Sequence, residues 1–278
     1  MTKIVTTVAE LRAALAELRR GAGRIGLVPT MGALHDGHVA LVSQAKKHCD
    51  HVVVSIFVNP AQFAPHEDFD AYPRTLDKDL EKLGGRAGIV FTPSAEEMYP
   101  DGHATTISVE GPAAGLESDF RPHFFSGVAT VVTKLLIAAA PDIAMFGEKD
   151  YQQLLVIKQL VRDLALPVTI LGAPTQREVD GLAMSSRNSY LGFGERKIAG
   201  RLNVLLKEAA SQARTSGNLR GAEATATVAL WNAGFSHVDY VAIRDAETLG
   251  HVTALERPAR ILAAAKIGKT RLIDNMAV

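Results

Sequence analysis

Residues 25–38 read IGLVPTMGALHDGH, an apolar run that leads into a turn with two glycines and two histidines. The run predicts a buried strand, and the residues after His38 predict a helix. Four further apolar runs alternate with longer helical stretches, at 52–58, 87–91, 143–146 and 168–171. Continuous apolar strands that alternate with helices are typical of a parallel sheet covered on both faces. In such α/β sheets, ligands bind beyond the carboxyl ends of the strands.

The pattern changes after about Pro174. Two helical patterns, at 195–215 and 221–233, precede three strand patterns at 238–243, 261–267 and 271–277. We therefore predict an α/β fold with a Rossmann-like parallel sheet and helices on both faces over residues 1–175. A smaller C-terminal α+β domain is predicted over residues 176–278.

The charges of the chain balance, with 30 Lys and Arg against 30 Asp and Glu among 278 residues. Hydrophobic residues make up 47% of the chain, which is typical of a globular protein rather than a disordered one. The lack of a basic excess argues against a nucleic-acid partner bound mainly through its phosphates. A few basic residues in one cleft can still bind a small anion.

The N-terminal segment predicts a short strand and then an amphipathic helix, which is unlike a secretory signal. Its apolar face carries Val8, Leu11, Leu15 and Leu18. No apolar run approaches the roughly 20 residues that span a bilayer, so no membrane partner is expected. Cys49 is the only cysteine, which excludes an intramolecular disulfide and favours a cytoplasmic location.

Residues 21–26 read GAGRIG and match the G-x-G-x-x-G string of dinucleotide-binding proteins. That motif must follow a strand and open a helix. Here the string follows the predicted N-terminal helix and enters a strand. We therefore interpret it as a glycine-rich turn without a binding role.

His35 and His38 lie three residues apart at the start of a predicted helix, on one side of it. The backbone N–H groups of a helix start favour anions, so amides and imidazoles could hold a phosphate together. Gly32 and Gly37 permit close approach of the backbone. Zinc is the weaker alternative, because no third ligand stands at a familiar spacing.

Three other segments carry polar groups at strand ends or in loops. Asn59 and Gln62 are neutral amides suited to a hydroxyl or a carboxylate. Lys149 begins a helix with Gln153 one turn later, and residues 184–188 read MSSRN, with two hydroxyls and a guanidinium suited to a phosphate chain. Each alone could be an ordinary cap or loop. The acidic stretch at 67–70 could equally be a solvated loop, which is the default for a charge cluster.

Taken in order, five segments resemble the pantoate–β-alanine ligase family of the nucleotidyltransferase superfamily. They are PTMGALHDGH (29–38), FVNPAQF (57–63), YPRT (72–75), FGEKDYQQ (146–153) and MSSRN (184–188). Residues 35–38 are similar to the HIGH motif of that superfamily, and residues 184–187 to its KMSKS-type loop. The resemblance implies a cytoplasmic, homodimeric ligase that uses ATP with Mg²⁺. It would condense (R)-pantoate with β-alanine to pantothenate, AMP and pyrophosphate through a pantoyl adenylate.

The resemblance also implies roles for individual residues. Catalysis would fall to His35, His38, Lys149 and Arg187, with an acid role for His38. The implied ATP-binding residues are Met31, Gly32, Ala33, Leu34, His35, Asp36, Gly37, His38, Gly147, Glu148, Lys149, Asp150, Val179, Met184, Ser185, Ser186 and Arg187. Gln62 and Gln153, with Asn59 nearby, would bind pantoate, and Gln62 also lies toward β-alanine. Asp79 is the candidate metal ligand, with a surface helix acid as the alternative.

One segment departs from the family pattern. Members commonly carry R-P-G-H-F-R-G-V, whereas residues 121–128 read RPHFFSGV. The histidine is displaced by one place, and Ser126 replaces the second arginine. We therefore transfer no role from that histidine or that arginine.

Two other functions compete with the ligase. The first is a nucleotidyltransferase that acts on a phosphorylated small molecule, but neutral Gln62 and Gln153 favour a hydroxy acid over a doubly charged acceptor. The second is a nucleotide-binding sensor that has lost catalysis. It predicts ATP binding without turnover.

Overall fold

The computed structural model describes residues 2–65 and 67–278. Its larger sheet consists of β1 (Lys3–Val5), β2 (Ile25–Thr30), β3 (His51–Ile56), β4 (Ile89–Phe91), β5 (Ile143–Gly147) and β6 (Thr169–Ala173). All six strands are parallel, in the order β1-β4-β3-β2-β5-β6. The predicted parallel α/β sheet is confirmed.

Helices cover both faces of this sheet. They are α1 (Val8–Arg20), α2 (Asp36–Ala45), α3 (Leu76–Leu83), α4 (Ala95–Met98), α5 (Glu117–Phe120), α6 (Phe124–Ala139) and α7 (Tyr151–Asp163). Successive residues of β2 alternate between the two faces, as strand geometry requires. Leu27 packs in the cluster with residues of α1, α6 and α7, whereas Val28 packs in the cluster with Val42 of α2 and Leu83 of α3.

The order of the strands reverses at β2. Strands β3 and β4 lie on one side of it, and β5 and β6 lie on the other. At such a switch point the connections leave the sheet in opposite directions and open a crevice at the carboxyl edge. The turn after β2 and the turn after β5 therefore meet at this crevice, which places residues 31–38 beside residues 148–153.

The N-terminal strand and helix are confirmed as β1 and α1. Thr7 accepts a hydrogen bond from the Glu10 backbone, and the Glu10 carboxylate accepts one from the Thr7 backbone, so α1 begins with a capping box. Residues 21–26 join α1 to β2, which confirms the glycine-rich turn. Across residues 2–65 and 67–278, none of the helices is long and apolar enough to cross a membrane.

The C-terminal part contains an antiparallel sheet of β7 (His237–Asp245), β8 (Ala259–Ile267) and β9 (Thr270–Ala277). Its helices are α8 (Phe193–Ala199), α9 (Arg201–Ser216) and α10 (Leu219–Ala233). The single helix predicted over 195–215 is divided at Gly200, where a Cβ would meet the Asp180 carboxylate. These elements share a hydrophobic cluster of their own, around Leu206 and Ile261. The cluster is consistent with a domain division near residue 176, which stays a prediction.

Candidate active site

A cavity of about 680 Å³ opens at the carboxyl edge of the larger sheet, a size typical of small-molecule sites. The predicted site residues that line it are Met31, His35, Gly37, His38, Asn59, Gln62, Gly147, Lys149, Asp150, Gln153, Met184, Ser185, Ser186 and Arg187. Those outside its lining are Gly32, Ala33, Leu34, Asp36, Asp79, Glu148 and Val179. The structure thus brings most of the predicted groups into one chamber.

The turn before the histidines is left-handed, with φ of 83° at Gly32 and 49° at Ala33. Asp79 of α3 holds this turn, because its carboxylate accepts hydrogen bonds from the Ala33 N–H (3.1 Å) and the Leu34 N–H (2.7 Å). The Thr75 hydroxyl is a third donor, at 3.3 Å. Asp79 is buried, and its carboxylate anchors the turn rather than facing the cavity.

The two histidines hold fixed tautomers. The Gly37 N–H donates to Nδ1 of His35 at 3.1 Å, and the His35 N–H donates to Nδ1 of His38 at 3.2 Å. Each neutral ring therefore carries its hydrogen on Nε2. Burial is the main cause that lowers the pKa of His35 to about 4, and the charge of Lys149 is the second cause. Burial is also the main cause that lowers the pKa of His38 to about 3, followed by the charge of His35. Both rings are neutral donors near pH 7.

Four amides around this helix start already have acceptors within the protein. The N–H groups of Ala33 and Leu34 are bound by Asp79, and those of His35 and Gly37 by imidazole nitrogens. The expectation that amides and imidazoles together hold a phosphate here stays a prediction.

Lys149 lies in the single turn Glu148–Asp150, between β5 and α7. Its Nζ is 3.8 Å from Oδ2 of Asp150, and the side chain is about one-fifth exposed. The turn is held from β9, where Nδ2 of Asn275 donates to the carbonyls of Glu148 (3.0 Å) and Lys149 (2.8 Å). The Glu148 carboxylate lies 3.3 Å from Nη2 of Arg260, which directs it toward the second sheet.

The MSSRN loop contacts the rest of the site through two side chains. Ser186 donates to the Ala33 carbonyl at 3.0 Å, and Arg187 forms two hydrogen bonds to Asp68. Burial alone would raise the pKa of Asp68, but the hydrogen bonds and charge of Arg187 hold it below its ordinary value. Glu67 is paired with Arg121 at 2.6 Å. The solvated-loop interpretation of residues 67–70 is thus wrong for Glu67 and Asp68, because both carboxylates are paired and half-buried.

One end of the cavity is apolar. Its wall is formed by Pro29, Phe57, Val128, Val131, Val132, Leu135 and Phe146. Gln62 and Gln153 line the same cavity. Asn59 is almost fully buried and donates to Oε1 of Gln62 at 3.1 Å, so it supports Gln62. The side chain of Gln153 has no hydrogen bond to any residue that the structure describes, so its amide is available to a ligand.

Two of the six predicted ATP residues that do not line the cavity are exposed. Asp36 is exposed and pairs with Lys82 of α3 at 2.6 Å. Val179 is fully exposed in the turn at 178–181. Their roles toward ATP stay predictions.

Several residues of the site carry no local sequence signal. Arg271 of β9 forms two hydrogen bonds to Glu117 of α5, at 2.7 and 2.8 Å, and the Tyr240 hydroxyl donates to the same carboxylate at 2.7 Å. Burial opposes ionisation of Glu117, yet Arg271 holds its pKa below the ordinary value. Asn275 and Asp68 are further examples. Only the alternation of inward- and outward-facing side chains along β7 and β9 could have indicated that residues such as Tyr240, Arg271 and Asn275 face the site.

The segment at 121–128 also has a defined place. Arg121 binds Glu67 through Nε (2.6 Å) and Nη2 (2.7 Å), and its guanidinium lies 3.8 Å from the centre of the Phe124 ring. His123 is exposed before α6. Gly127 is essential to the packing, because a Cβ there would overlap the Ala61 carbonyl.

Comparison with known proteins agrees with this geometry. The family model for pantoate-beta-alanine ligase matches residues 3–277. A pantothenate synthetase from Mesorhizobium japonicum is 55% identical, with 99% of this chain and 98% of the relative covered. One from Caulobacter vibrioides is 52% identical, with the same shares covered.

Solved structures match along the same length. The pantothenate synthetase from Thermus thermophilus has a TM-score of 0.93 and 46% identity, with 99% of this chain and 98% of that chain covered. A pantoate-beta-alanine ligase from Francisella tularensis, complexed with beta-gamma ATP and beta-alanine, has a TM-score of 0.84 and 36% identity, with 99% and 97% covered. With its predicted motifs gathered in one cavity, the chain belongs to the pantoate–β-alanine ligase family.

Proposed function

We propose that this ligase condenses (R)-pantoate with β-alanine at the expense of ATP, through a pantoyl adenylate, in the cavity described above. One observation carries the proposal. One cavity is lined both by apolar side chains with two neutral amides and by five side chains that suit phosphate, namely His35, His38, Lys149, Ser186 and Arg187. The two ends match the two halves of an acyl adenylate.

The apolar end suits a small branched hydroxy acid. Its aliphatic and aromatic wall can cover the two methyl groups of pantoate, while Gln62 and Gln153 bind the carboxylate and hydroxyl groups. Neutral amides hold these groups without the cations that a phosphorylated acceptor would require. The pocket therefore supports the ligase over a nucleotidyltransferase that acts on a phosphorylated molecule.

The polar end would bind the triphosphate. In the first step an oxygen of the pantoate carboxylate attacks the α-phosphorus, and pyrophosphate leaves with the electrons of the broken P–O bond. Lys149 and Arg187 offset the negative charge that grows on the phosphate oxygens, and the Nε2–H groups of His35 and His38 donate to the same oxygens. The carboxylate is already ionised near pH 7, so this step requires no base.

In the second step the amine of β-alanine attacks the acyl carbon, and AMP leaves. The amine must be neutral to attack, although it is mostly protonated in water. His35 and His38 offer no free lone pair for that proton, because each Nδ1 accepts a backbone hydrogen bond. Their contribution in this proposal is hydrogen-bond donation. The acid role that the family implies for His38 stays a prediction.

Magnesium would enter with ATP. The Asp79 carboxylate fits a dedicated metal site poorly, since it already accepts three hydrogen bonds from its own surroundings. Within residues 2–65 and 67–278, no group of three or more His, Cys, Asp or Glu side chains is placed to hold an ion. Mg²⁺ often relies on substrate phosphates with only one or two protein carboxylates. We therefore assign no step to a protein-bound metal.

ATP–pyrophosphate exchange tests the proposed function. Labelled pyrophosphate should enter ATP only when pantoate is present, because the reverse reaction needs the pantoyl adenylate. Exchange that ignores pantoate would exclude the ligase. ATP binding without any exchange would favour the sensor.

The homodimer and the cytoplasmic location are further proposals, which rest on the family resemblance and on the single cysteine. Light scattering coupled to size-exclusion chromatography tests the first, with a mass of twice 29.7 kDa expected. A monomeric mass over the working concentration range would reject it.

A further inference from the structure

Asn59, which follows β3, holds one orientation of its amide. The Ala61 N–H can only donate, so the Asn59 atom 3.3 Å from it must be the oxygen Oδ1. The Gly127 carbonyl can only accept, so the Asn59 atom 3.2 Å from it must be the nitrogen Nδ2. Two backbone groups of opposite type therefore determine which way this buried amide points.

The orientation of Asn59 determines that of Gln62. The second hydrogen on Nδ2 of Asn59 points at Gln62, which must accept it through Oε1, at 3.1 Å. The Nε2 group of Gln62 is then directed the other way, where it lies 3.0 Å from Sδ of Met31, a weak acceptor in the cavity wall. Gln62 thus presents a hydrogen-bond donor to any ligand.

Tyr99, which follows α4, completes this chain of hydrogen bonds. Its hydroxyl donates to Oδ1 of Asn59 at 2.7 Å, the shortest contact that Asn59 makes. Burial raises the pKa of Tyr99 to about 12, so the hydroxyl keeps its proton in the neutral range. The ring is held by Phe57 and His103, with centroid distances of 6.3 and 5.0 Å. Tyr99 does not line the cavity.

We propose that Tyr99 is a positioning residue for the acid substrate. Its hydroxyl adds a third restraint to the Asn59 amide, whose direction the Ala61 N–H and the Gly127 carbonyl already set. The firmly held Asn59 in turn keeps the NH₂ group of Gln62 toward the cavity, which selects a hydrogen-bond acceptor on the substrate. A carboxylate oxygen or a hydroxyl lone pair fits this requirement, whereas a protonated amine does not. The inference rests on the proposed function, because it assigns the acid to the pocket beside Gln62.

The Tyr99→Phe variant tests this role, since it removes the hydroxyl and keeps the ring. Loss of one buried hydrogen bond should raise the KM for pantoate by about three- to tenfold. The KM for ATP and the kcat should stay within about twofold. A purely structural role would instead reduce the active fraction and lower kcat without this selectivity. Thr133→Val is the matched control, because it deletes another buried hydroxyl, which bonds only within α6.

A double-mutant cycle with Gln62→Ala tests the route from Tyr99 to the substrate. The effect of Tyr99→Phe on the KM for pantoate should disappear when Gln62 is already alanine. An unchanged KM in the single variant, or the same increase in both backgrounds, would overturn the proposal. The ATP measurement in the same preparation shows whether the variant is folded.

Measurements on the parent enzyme distinguish a failure of the proposed function from a failure of the role proposed for Tyr99. If its exchange reaction does not depend on pantoate, the proposed function fails and the role of Tyr99 fails with it. If the parent does depend on pantoate but Tyr99→Phe keeps the parental KM, only the role of Tyr99 is rejected.

Discussion

Arg187 and Asp68 form a two-point ion pair, with 3.0 Å between Nε and Oδ2 and 2.8 Å between Nη2 and Oδ1. The two residues are 119 positions apart in the sequence, and each side chain is about one-quarter exposed. A carboxylate presents two oxygens to a guanidinium much as a phosphate does. Asp68 therefore binds the same guanidinium that the proposed function assigns to the phosphates.

Replacing Asp68 should strengthen the binding of ATP. An Asp68→Asn variant removes the charge that competes for Arg187, and a pair of this exposure is worth about 1 kcal/mol. We expect the KM for ATP to fall by about fivefold, as measured in initial-rate assays. Asp70→Asn is the control, because Asp70 is an exposed acid in the same loop. An unchanged or higher KM would mean that Asp68 does not compete with ATP.

Removal of a charge-stabilising side chain should slow adenylation. We expect His38→Ala and Lys149→Ala each to reduce the rate by at least about a hundredfold, the scale for losing one transition-state donor. The fold should stay intact by circular dichroism. Lys158→Ala, an exposed position on α7, provides the control. Near-parental rates of pyrophosphate exchange in both site variants would refute the assignments.

The imidazoles of His35 and His38 should not titrate between pH 8 and pH 5 in the free enzyme, because their pKa values are lowered to about 4 and about 3. The charged groups that act on His35 are Lys149, Asp36, Asp150 and Lys82, and the first of them also acts on His38. NMR of ¹³C-labelled histidine measures this directly.

The same two pKa values predict how the stability of the folded protein changes with pH. Below about pH 6.5 the unfolded chain binds protons that the folded site does not. The two neutral rings therefore contribute fully to the free energy of unfolding above that pH. This contribution is lost as the pH falls toward 4 for His35 and toward 3 for His38. Urea unfolding should show a falling midpoint over this interval. A ring that titrates near pH 6.5 would contradict the burial of the site.

An Asp79→Asn variant should distinguish an anchor from a metal ligand. The amide can accept at only one atom, so either the Ala33 or the Leu34 N–H would lose its acceptor. We expect adenylation to slow by about tenfold through displacement of the turn, while the Mg²⁺ concentration for half-maximal rate stays unchanged. Asp77→Asn, at an exposed position of α3, is the control. A shift of the Mg²⁺ dependence to higher concentrations would instead identify Asp79 as a metal ligand.

The parallel sheet could be predicted because its information is local. Apolar runs such as 25–28 and 143–146 are long enough to indicate buried strands, and the turns that follow them must meet at one edge. The same logic placed His38 beside Lys149. The division of the predicted helix at Gly200 escaped prediction, and the close packing of Asp180 against this glycine is visible only in the folded chain.

The supporting contacts of the site could not be predicted in this way. Asp79 looked like a metal candidate or a surface acid, because Leu34, whose N–H binds it, lies 45 positions away. Asp68 looked like part of a solvated loop, because Arg187 lies 119 positions away. The partners of Glu117 are as distant, with Arg271 at 154 positions. Burial and pairing of these carboxylates arise only when the chain is folded.

The sequence by itself determined the sheet, the family and most of the predicted groups that line the cavity, since strand periodicity and motif order are properties of short segments. The tertiary structure alone decided how those groups are presented. Backbone N–H groups select the tautomers of His35 and His38, and Asn59 sets the direction of the Gln62 amide. Hydrogen-bond direction depends on donors and acceptors within about 3 Å, and only folding brings these atoms together.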